Sequence, residues 1–309
     1  MSNRSKLIVM CGLSASEKST IAKELAVKHN AVIVSSDAIR KEICGTVADQ
    51  SKNEEVFKIF HKRIREYLHQ KRNVIVDATN ITMKARRAII NNVKKMDIEI
   101  IAYIVPKRVG NCVKDNTYRN HPVPVEVIYK QEKRFQIPFM EEGFDEIVIH
   151  DFDFYNKLYP LDMIEKMYGF NQKNPHHNMD LAQHCSFTYK LFTLEKPTIY
   201  SYENGFYMGV RLHDIGKLFT QTFDEDGIAH YCNHSSIGSY YVLSNLYNPN
   251  VEDKTQFLLD CCFLINYHMF PFSWNTNSIK TKWKRRFGEY KYNLLIRFHE
   301  CDKERLNNG

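Results

Sequence analysis

Two groups of residues in this 309-residue chain have the types and spacing to do chemistry. The first is the run Gly12-Leu13-Ser14-Ala15-Ser16-Glu17-Lys18-Ser19-Thr20, which follows an apolar stretch and precedes a helical pattern. A loop in that setting aims backbone N–H groups and a helix N-terminus at phosphates. Gly12, Ser16, Lys18, Ser19 and Thr20 are therefore the nucleotide-binding candidates. Lys18 would reach the β- and γ-phosphates of ATP, and the Ser19 hydroxyl would hold Mg²⁺. Glu17 stands where such loops have glycine. It brings bulk and negative charge to a place where the backbone must approach an anion. Two readings stay open: a working loop, or a degenerate one that keeps the fold. Ser35-Ser36-Asp37 with Arg40, and Asp77-Ala78-Thr79-Asn80, each follow a short apolar run. Ligands of open α/β sheets bind at such strand ends, and an aspartate there can take a proton from an attacking hydroxyl. Ser36, Asp37, Asp77 and Thr79 are also good helix N-caps.

The second group is built on histidine. Leu212-His213-Asp214-Ile215-Gly216-Lys217 sets a histidine beside an aspartate at the end of an apolar helical run. His184 lies upstream, His230 and His234 follow, then Tyr267-His268-Met269 and His299-Glu300-Cys301-Asp302-Lys303. Imidazole nitrogens and carboxylate oxygens together suit divalent transition metals. A histidine taken singly is more often packed or exposed than a ligand, which applies above all to His176, His177, His230 and His299. Lys217 shares a helical face with Asp214 and could neutralise phosphate charge. The run Lys280-Thr281-Lys282-Trp283-Lys284-Arg285-Arg286 fits a nucleic-acid patch or a solvated helix face. Tyr240-Tyr241 and Phe270–Trp274 fit base stacking or core packing.

The elements that must position these residues differ between the two halves. Up to about residue 150, apolar runs at Lys6–Met10, Ala31–Val34, Asn73–Val76 and Glu99–Val105 read as strands. Between them, Ser19–Lys28, Asn53–Gln70 and Ala85–Lys95 read as helices, the second with Val56, Ile59, Phe60, Ile64 and Leu68 on one face. Such alternation predicts a parallel sheet covered on both faces. Beyond residue 160 strand-like runs stop, and helical spacing covers Asp180–Phe192, Met208–Phe219, Ile237–Tyr247, Thr255–Asn266 and Tyr292–Arg305. The boundary falls between Phe154 and Asn174, giving domains at 1–158 and 159–309.

The chain is 43% hydrophobic and 26% charged, which places it with globular rather than disordered sequences. The net charge of +7 is compatible with a phosphate-rich partner without requiring one. None of the eight cysteines forms a CxxC pair, so reduced, mostly buried thiols are expected and a structural zinc site is not. No apolar run reaches the ~18–20 residues that span a bilayer. The expected location is the cytoplasm, with no membrane partner.

On these residues the first half, about 6–150, resembles the polynucleotide kinase family, which phosphorylates 5′-hydroxyl ends of RNA or DNA. The resemblance rests on the loop, on Ser36-Asp37-x-x-Arg40, on Asp77-x-Thr79-Asn80, and on a lid-like stretch. That stretch contains Asn116-Thr117-Tyr118-Arg119, Pro122–Ile128 and Arg134–Pro138. It implies Asp37 as general base, Arg40 at the phosphate of the reacting end, and Lys18 and Arg119 on the ATP phosphates. Asp77, Thr79 and Asn80 would place the acceptor. The family usually carries an arginine where this chain has Asp115. The second half, about 174–305, resembles HD-type phosphohydrolases, through Leu212–Lys217 and the lead-in Asn174-Pro175-His176-His177…Gln183-His184. That resemblance implies one metal on His184, His213, Asp214 and Asp302, and a second on His234 and His268, with Asp214 bridging.

The implied architecture is an α/β P-loop domain with a parallel sheet, followed by an all-α HD domain. The implied function is healing of nucleic-acid ends, RNA before DNA: a 2′,3′-cyclic, 2′- or 3′-phosphate removed by one half, a 5′-phosphate added by the other. The implied cofactors are ATP with Mg²⁺ and one or two divalent transition metals. The implied partners are RNA or DNA ends and ATP or another NTP, with a homodimer left open. The alternative is a phosphohydrolase of free nucleotides whose loop domain only binds nucleotide or RNA.

Overall fold

The computed structural model describes residues 4–151, 157–173, 179–194 and 204–304, the side chain of Glu304 excepted. The chain divides into two compact units. One comprises Met1–Glu132 with Pro138–Phe152, the other Lys133–Ile137 with Asp153–Gly309.

The first unit runs β1 (Ser5–Cys11), α1 (Lys18–His29), β2 (Ala31–Ser35), α2 (Ser36–Cys44), α3 (Asn53–His69), β3 (Asn73–Asp77), α4 (Met83–Val93), β4 (Ile98–Ile104), α5 (Val109–Asn116), α6 (Val125–Glu132) and β5 (Glu146–Ile149). Its five strands lie in the order β2-β3-β1-β4-β5, all parallel. Central β1 pairs Leu7 with Val74 on one side and Ile100 on the other. Leu7, Val9, Met10 and Cys11 are fully buried, which explains why β1 reads as a continuous apolar run instead of an alternating one. Helix α1 buries Ile21, Ala22 and Leu25 against Ile8, Met10, Ile75 and Ile101. The order reverses at β1, so its carboxyl end opens on the crevice where such sheets take ligands.

The four expected strands and three expected helices are present. Sequence reading missed α2, α5, α6 and β5, all of nine residues or fewer. The first cluster supplies its cap through Ser35, its leading residue, and not through Ser36 or Asp37; the second supplies none. Ser35 caps α2, accepting from Ala38 N at 3.4 Å, and Thr82 caps α4, accepting from Ala85 N at 3.3 Å. Ser36 and Asp37 therefore sit inside the first turn of α2.

The second unit contains α7 (Pro160–Glu165), α8 (Leu181–Thr193), α9 (Gly205–Leu212), α10 (His234–Asn245), α11 (Lys254–Tyr267) and α12 (Asn277–Glu304), the last broken at Gly288 with φ 73°. Helix α8 starts on a capping box: Asp180 Oδ1 accepts from Gln183 N at 2.8 Å, and Gln183 Oε1 accepts from Asp180 N at 3.1 Å. Two expectations are corrected. The unit is not purely helical, because β6 (Thr222–Phe223) and β7 (Ala229–His230) form an antiparallel hairpin. Strands of two residues have no alternation for a sequence pattern to show. The hairpin is set by its turn, where Asp224 Oδ1 accepts from Asp226 N and Ile228 N. Nor is Met208–Phe219 one helix: α9 ends at Leu212, and a 3-10 turn runs from Ile215 to Phe219. Gly216 lies so close to α10 that a Cβ there would stand 1.9 Å from the His234 carbonyl oxygen. The chain stops being α-helical where it docks on that neighbour.

Residues 133–137 are built into this second unit. Phe135 and Ile137 are fully buried. Ile137 N donates to Asn266 Oδ1 at 2.7 Å, Asn266 Nδ2 donates to the Phe135 carbonyl, and Tyr267 Oη donates to the Ile137 carbonyl. The stretch Arg134–Pro138, expected in a lid, is for most of its length a strap on the second unit.

Candidate functional site

The phosphate cradle forms where β1 ends. Gly12 N donates to the Thr79 carbonyl at 3.0 Å, tying the loop to the end of β3. A Cβ on Gly12 would lie 2.8 Å from the Val105 carbonyl oxygen and 2.9 Å from Ser16 Oγ, so only glycine fits. Lys18 is buried, and its ammonium folds back onto the Leu13 carbonyl and Ser16 Oγ. Burial pushes its pKa down, while Asp77 and, more weakly, Asp37 favour the charge and Arg119 opposes it. Residues expected at the site thus act electrostatically on one ammonium group. Ser19 Oγ donates to Asp77 Oδ2 at 2.8 Å. That hydroxyl–carboxylate pair offers hard oxygens, the donor set for Mg²⁺. Asp77, expected on the acceptor side, has its carboxylate bonded to the Ser19 hydroxyl.

The remaining residues of the first site fall as follows. Thr20 is exposed in the first turn of α1. Arg40 is buried, donating from Nη1 to Asp37 Oδ1 and from Nη2 to Asn53 Oδ1, both at 2.9 Å. It holds the exposed Asp37 carboxylate in place. Thr79 uses its carbonyl on Gly12 and leaves its side chain half-buried. The Asn80 amide donates to the Met10 carbonyl at 2.8 Å, so it braces the loop to β1. Arg119 is exposed just after α5, where Asn116 closes the following loop through Val123 N and O. Sequence reading missed the support beneath. Arg86 and Glu142, both buried, form a two-bond ion pair at 2.9 and 2.6 Å, and Arg86 Nη1 also donates to the Asn80 carbonyl. Fifty-six residues separate the pair, and nothing local marks it. Lys107 is a second omission: its ammonium pairs with Glu17 and with Asp115.

In the second unit, α8, the α9 end, α10, α11 and α12 deliver His184, His213–Asp214, His234, His268 and Asp302 to one buried centre. Asp214 Oδ2 lies 3.1 Å from His184 Nε2 and 3.4 Å from His213 Nε2. Asp302 Oδ1 lies 3.5 and 3.6 Å from the same two nitrogens. Asp214 Oδ1 faces the other way, 3.2 Å from His234 Nε2 and 3.6 Å from His268 Nε2. One carboxylate therefore stands between two ligand clusters.

The tautomers test whether this set fits metal. Nδ1 of His213, His234 and His268 lies 2.8, 2.8 and 2.7 Å from the carbonyls of Val210, Tyr231 and Ile265. A carbonyl only accepts, so in the neutral rings Nδ1 carries the proton and Nε2 the lone pair. Yet His213 Nε2 is 3.1 Å from His184 Nε2, and His234 Nε2 is 3.2 Å from His268 Nε2. Lone pairs gathered this closely around a carboxylate are what a divalent cation satisfies, and the residues fit one or two such ions. Burial pushes His268 down to about 4, keeping it a neutral donor. Burial opposes the charge on Asp214, but the Lys217 ammonium, with His213 when its ring is protonated, holds its carboxyl well below the usual range. Cys185 Sγ joins His184 and His213 within 4.8 Å, a donor that sequence reading passed over as inert.

Lys217 is buried on this centre, 2.7 Å from Asp214 Oδ2 and 2.9 Å from Gln172 Oε1, so its charge is spent on the bridging carboxylate. His230 pairs with Asp224 on the hairpin, and His299 packs edge-on against Phe272. His176 and His177 lie outside the described residues. Trp283 is half-buried against Phe270 and Phe287, with Arg286 over its ring at 5.0 Å and Lys282 at 5.7 Å. Lys280, Lys282, Lys284 and Arg285 are exposed on the same helix. Tyr240 is core, against Phe135, and Trp274 stacks on Tyr292. Among the described residues, no helix is long and apolar enough to cross a membrane.

Residues 7–138 match the sequence profile of the AAA domain family. Apart from residues 133–137, the stretch that matches this profile lies in the first unit, whose five-stranded sheet is parallel, and a mostly helical region follows. Over 144 residues the chain is 28% identical to an L-seryl-tRNA(Sec) kinase of Methanococcus maripaludis, covering 45% of this chain. The chain spans about half the length of that curated relative, 56%. A solved Pnkp1/Rnl/Hen1 RNA repair complex includes a chain similar at TM-score 0.39 and 16% identity, over 92% of this chain and 94% of that one. A gluconokinase from Sinorhizobium meliloti 1021 is similar at TM-score 0.34 and 18% identity, over 48% of this chain and 81% of that one.

Proposed function

We propose that this chain is a bifunctional enzyme that heals RNA ends, with the functional division at 1–158 and 159–309. The carrying observation is that one chain holds both a Ser19–Asp77 nucleotide cradle and a two-sided histidine–aspartate cage. In the first half Lys18 and Arg119 hold the phosphates of ATP, and Ser19 and Asp77 hold Mg²⁺. Asp37, oriented by Arg40, takes the proton of the attacking 5′-hydroxyl. The relative's printed role, a kinase for L-seryl-tRNA(Sec), supports an acceptor hydroxyl carried on RNA.

In the second half, an HD-type phosphohydrolase, His184, His213, Asp214 and Asp302 would hold one divalent ion and His234 and His268 another. The bound ions would supply Lewis acidity toward a phosphate ester and toward water. Lys217 fixes the Asp214 carboxylate between the two clusters, and the carbonyls of Val210, Tyr231 and Ile265 fix the rings. The substrate is a 2′,3′-cyclic, 2′- or 3′-phosphate end. All eight cysteines are free, which supports a reducing compartment such as the cytoplasm.

Purified protein with ATP, Mg²⁺ and Mn²⁺ or Ni²⁺ is given RNA with a 5′-hydroxyl and, separately, RNA with a 2′,3′-cyclic phosphate. Processing of both ends is expected. If neither end changes, the reading is lost. A second reading, a phosphohydrolase of free nucleotides with a non-catalytic loop domain, is favoured by Glu17 at a glycine position with φ 71°. It predicts strong turnover of mononucleotides and indifference to oligonucleotides.

A further inference from the structure

Glu17 immediately precedes α1 and adopts a left-handed backbone, φ 71° and ψ 10°. That region costs a non-glycine residue roughly 1–2 kcal/mol. The position also places a carboxylate at the helix N-terminus, where the cradle's amides face an anionic ligand. An unrestrained glutamate there would repel polyphosphate and compete for its donors. The structure shows a restraint. Glu17 makes no side-chain capping bond to α1. Its carboxylate instead pairs with Lys107, from the segment between β4 and α5, and the same ammonium pairs with Asp115 on α5. The Lys107 side chain is 8% exposed, against 49% for Glu17 and 42% for Asp115. The cation is the buried member, gripped from two sides. Burial opposes its charge, but Asp115 and Glu17 keep its pKa above the ordinary lysine value. The two positions that depart from the polynucleotide kinase pattern thus meet at one lysine.

We propose that Lys107 is a positioning residue of the nucleotide cradle: it draws the Glu17 carboxylate off the α1 N-terminus and cancels its charge, so that the loop accepts a nucleoside triphosphate without its glycine. Asp115 is the second anchor that fixes the lysine. This rests on the reading of the cradle as a nucleotide site.

The test is calorimetric titration of the full chain with Mg·ATP, with a melting temperature for each variant. Lys107→Met is expected to weaken ATP binding by about tenfold or more, since it leaves an unneutralised carboxylate at the α1 N-terminus. Lys107→Arg keeps binding close to wild type. Glu17→Gly added to Lys107→Met restores most of the loss, which a purely structural lysine would not allow. The proposal is overturned if Lys107→Met binds ATP like wild type, or if folded Glu17→Gly/Lys107→Met binds no better than Lys107→Met. It is also overturned if wild type binds no ATP while Glu17→Gly does, an outcome that leaves the nucleotide site standing. If neither wild type nor Glu17→Gly binds ATP, the nucleotide reading itself falls.

Discussion

The two sites are assembled by opposite means. In the cradle the backbone does most of the work. Gly12 N is tied to Thr79 O, Gly12 admits no side chain, and the ligand-facing groups are amides at a helix start. Side chains adjust such a site through charge, as Lys107 does with Glu17 and Asp115. In the cage the backbone only orients: three carbonyls fix three imidazoles, and the chemistry belongs to side chains from five helical segments. A backbone site can absorb a changed residue if the local charge is rebalanced. A side-chain site loses its function with one ligand. On this contrast rests the proposal that the loop tolerates Glu17, a tolerance that the candidate ligand positions of the cage would not share.

The sharpest way to break the contrast is to remove a ligand. Asp214→Asn is expected to reduce phosphate-end removal by about 100-fold or more, because it strips the carboxylate shared by both clusters. Phosphorylation of 5′-hydroxyl RNA by the same preparation should be unchanged; a parallel loss of both activities would show that the sites are not independent. A structural attack on the cradle comes next. Arg86→Met leaves Glu142 buried and unpaired, and should destabilise the first unit by roughly 3–5 kcal/mol in urea unfolding followed unit by unit. The cage should resist this change until the first unit has melted.

Acid separates the sites more gently. Burial pushes His268 down to about 4 in the folded chain, below its ordinary value of 6.5, so between those values the folded state binds fewer protons than the unfolded one. Metal-free protein should therefore lose stability as pH falls from about 6.5 to about 4, by at most roughly 3 kcal/mol from this residue. Added Mn²⁺ or Zn²⁺ should raise stability at pH 7 and progressively less below pH 6, as a melting series would show. The smallest effect is expected at Trp283. Replacing Lys280, Lys282 and Arg286 with alanine should raise KM for RNA several-fold and flatten its salt dependence, with turnover of a small phosphate ester unchanged. Equal effects on both substrates would assign the run to folding.

The cage was the more legible of the two sites in the sequence, because its histidines and the His213-Asp214 pair recur among separate helical patterns. Its position on a broken helix was not legible, since the break comes from Gly216 pressing on α10. The strands of the first unit were readable as apolar runs, because parallel strands are buried on both faces. Its short helices and β5 were not, as eight or nine residues hold too few turns to show a period. Lys107 and Arg86 left no trace. Each has a partner reached only through the fold, Glu17 at 90 residues from Lys107 and Glu142 at 56 from Arg86. Cys185 was set aside as an ordinary buried thiol, and only its proximity to His184 and His213 makes it a donor.

The strap at residues 133–137 bears on how the chain reaches its native state. Its three hydrogen bonds join positions 129–131 residues apart, while residues 138–152, including Glu142 and β5, belong to the first unit. During synthesis the first unit can close its sheet once residue 149 has emerged. Phe135 and Ile137 must then wait in water until α11 has been made. Closing a loop of that length costs chain entropy that grows only logarithmically, but it sets the order of events and lengthens the exposure of two apolar side chains. The order of synthesis thus favours maturing the first unit's sheet first, with an apolar segment left for the helical half to claim.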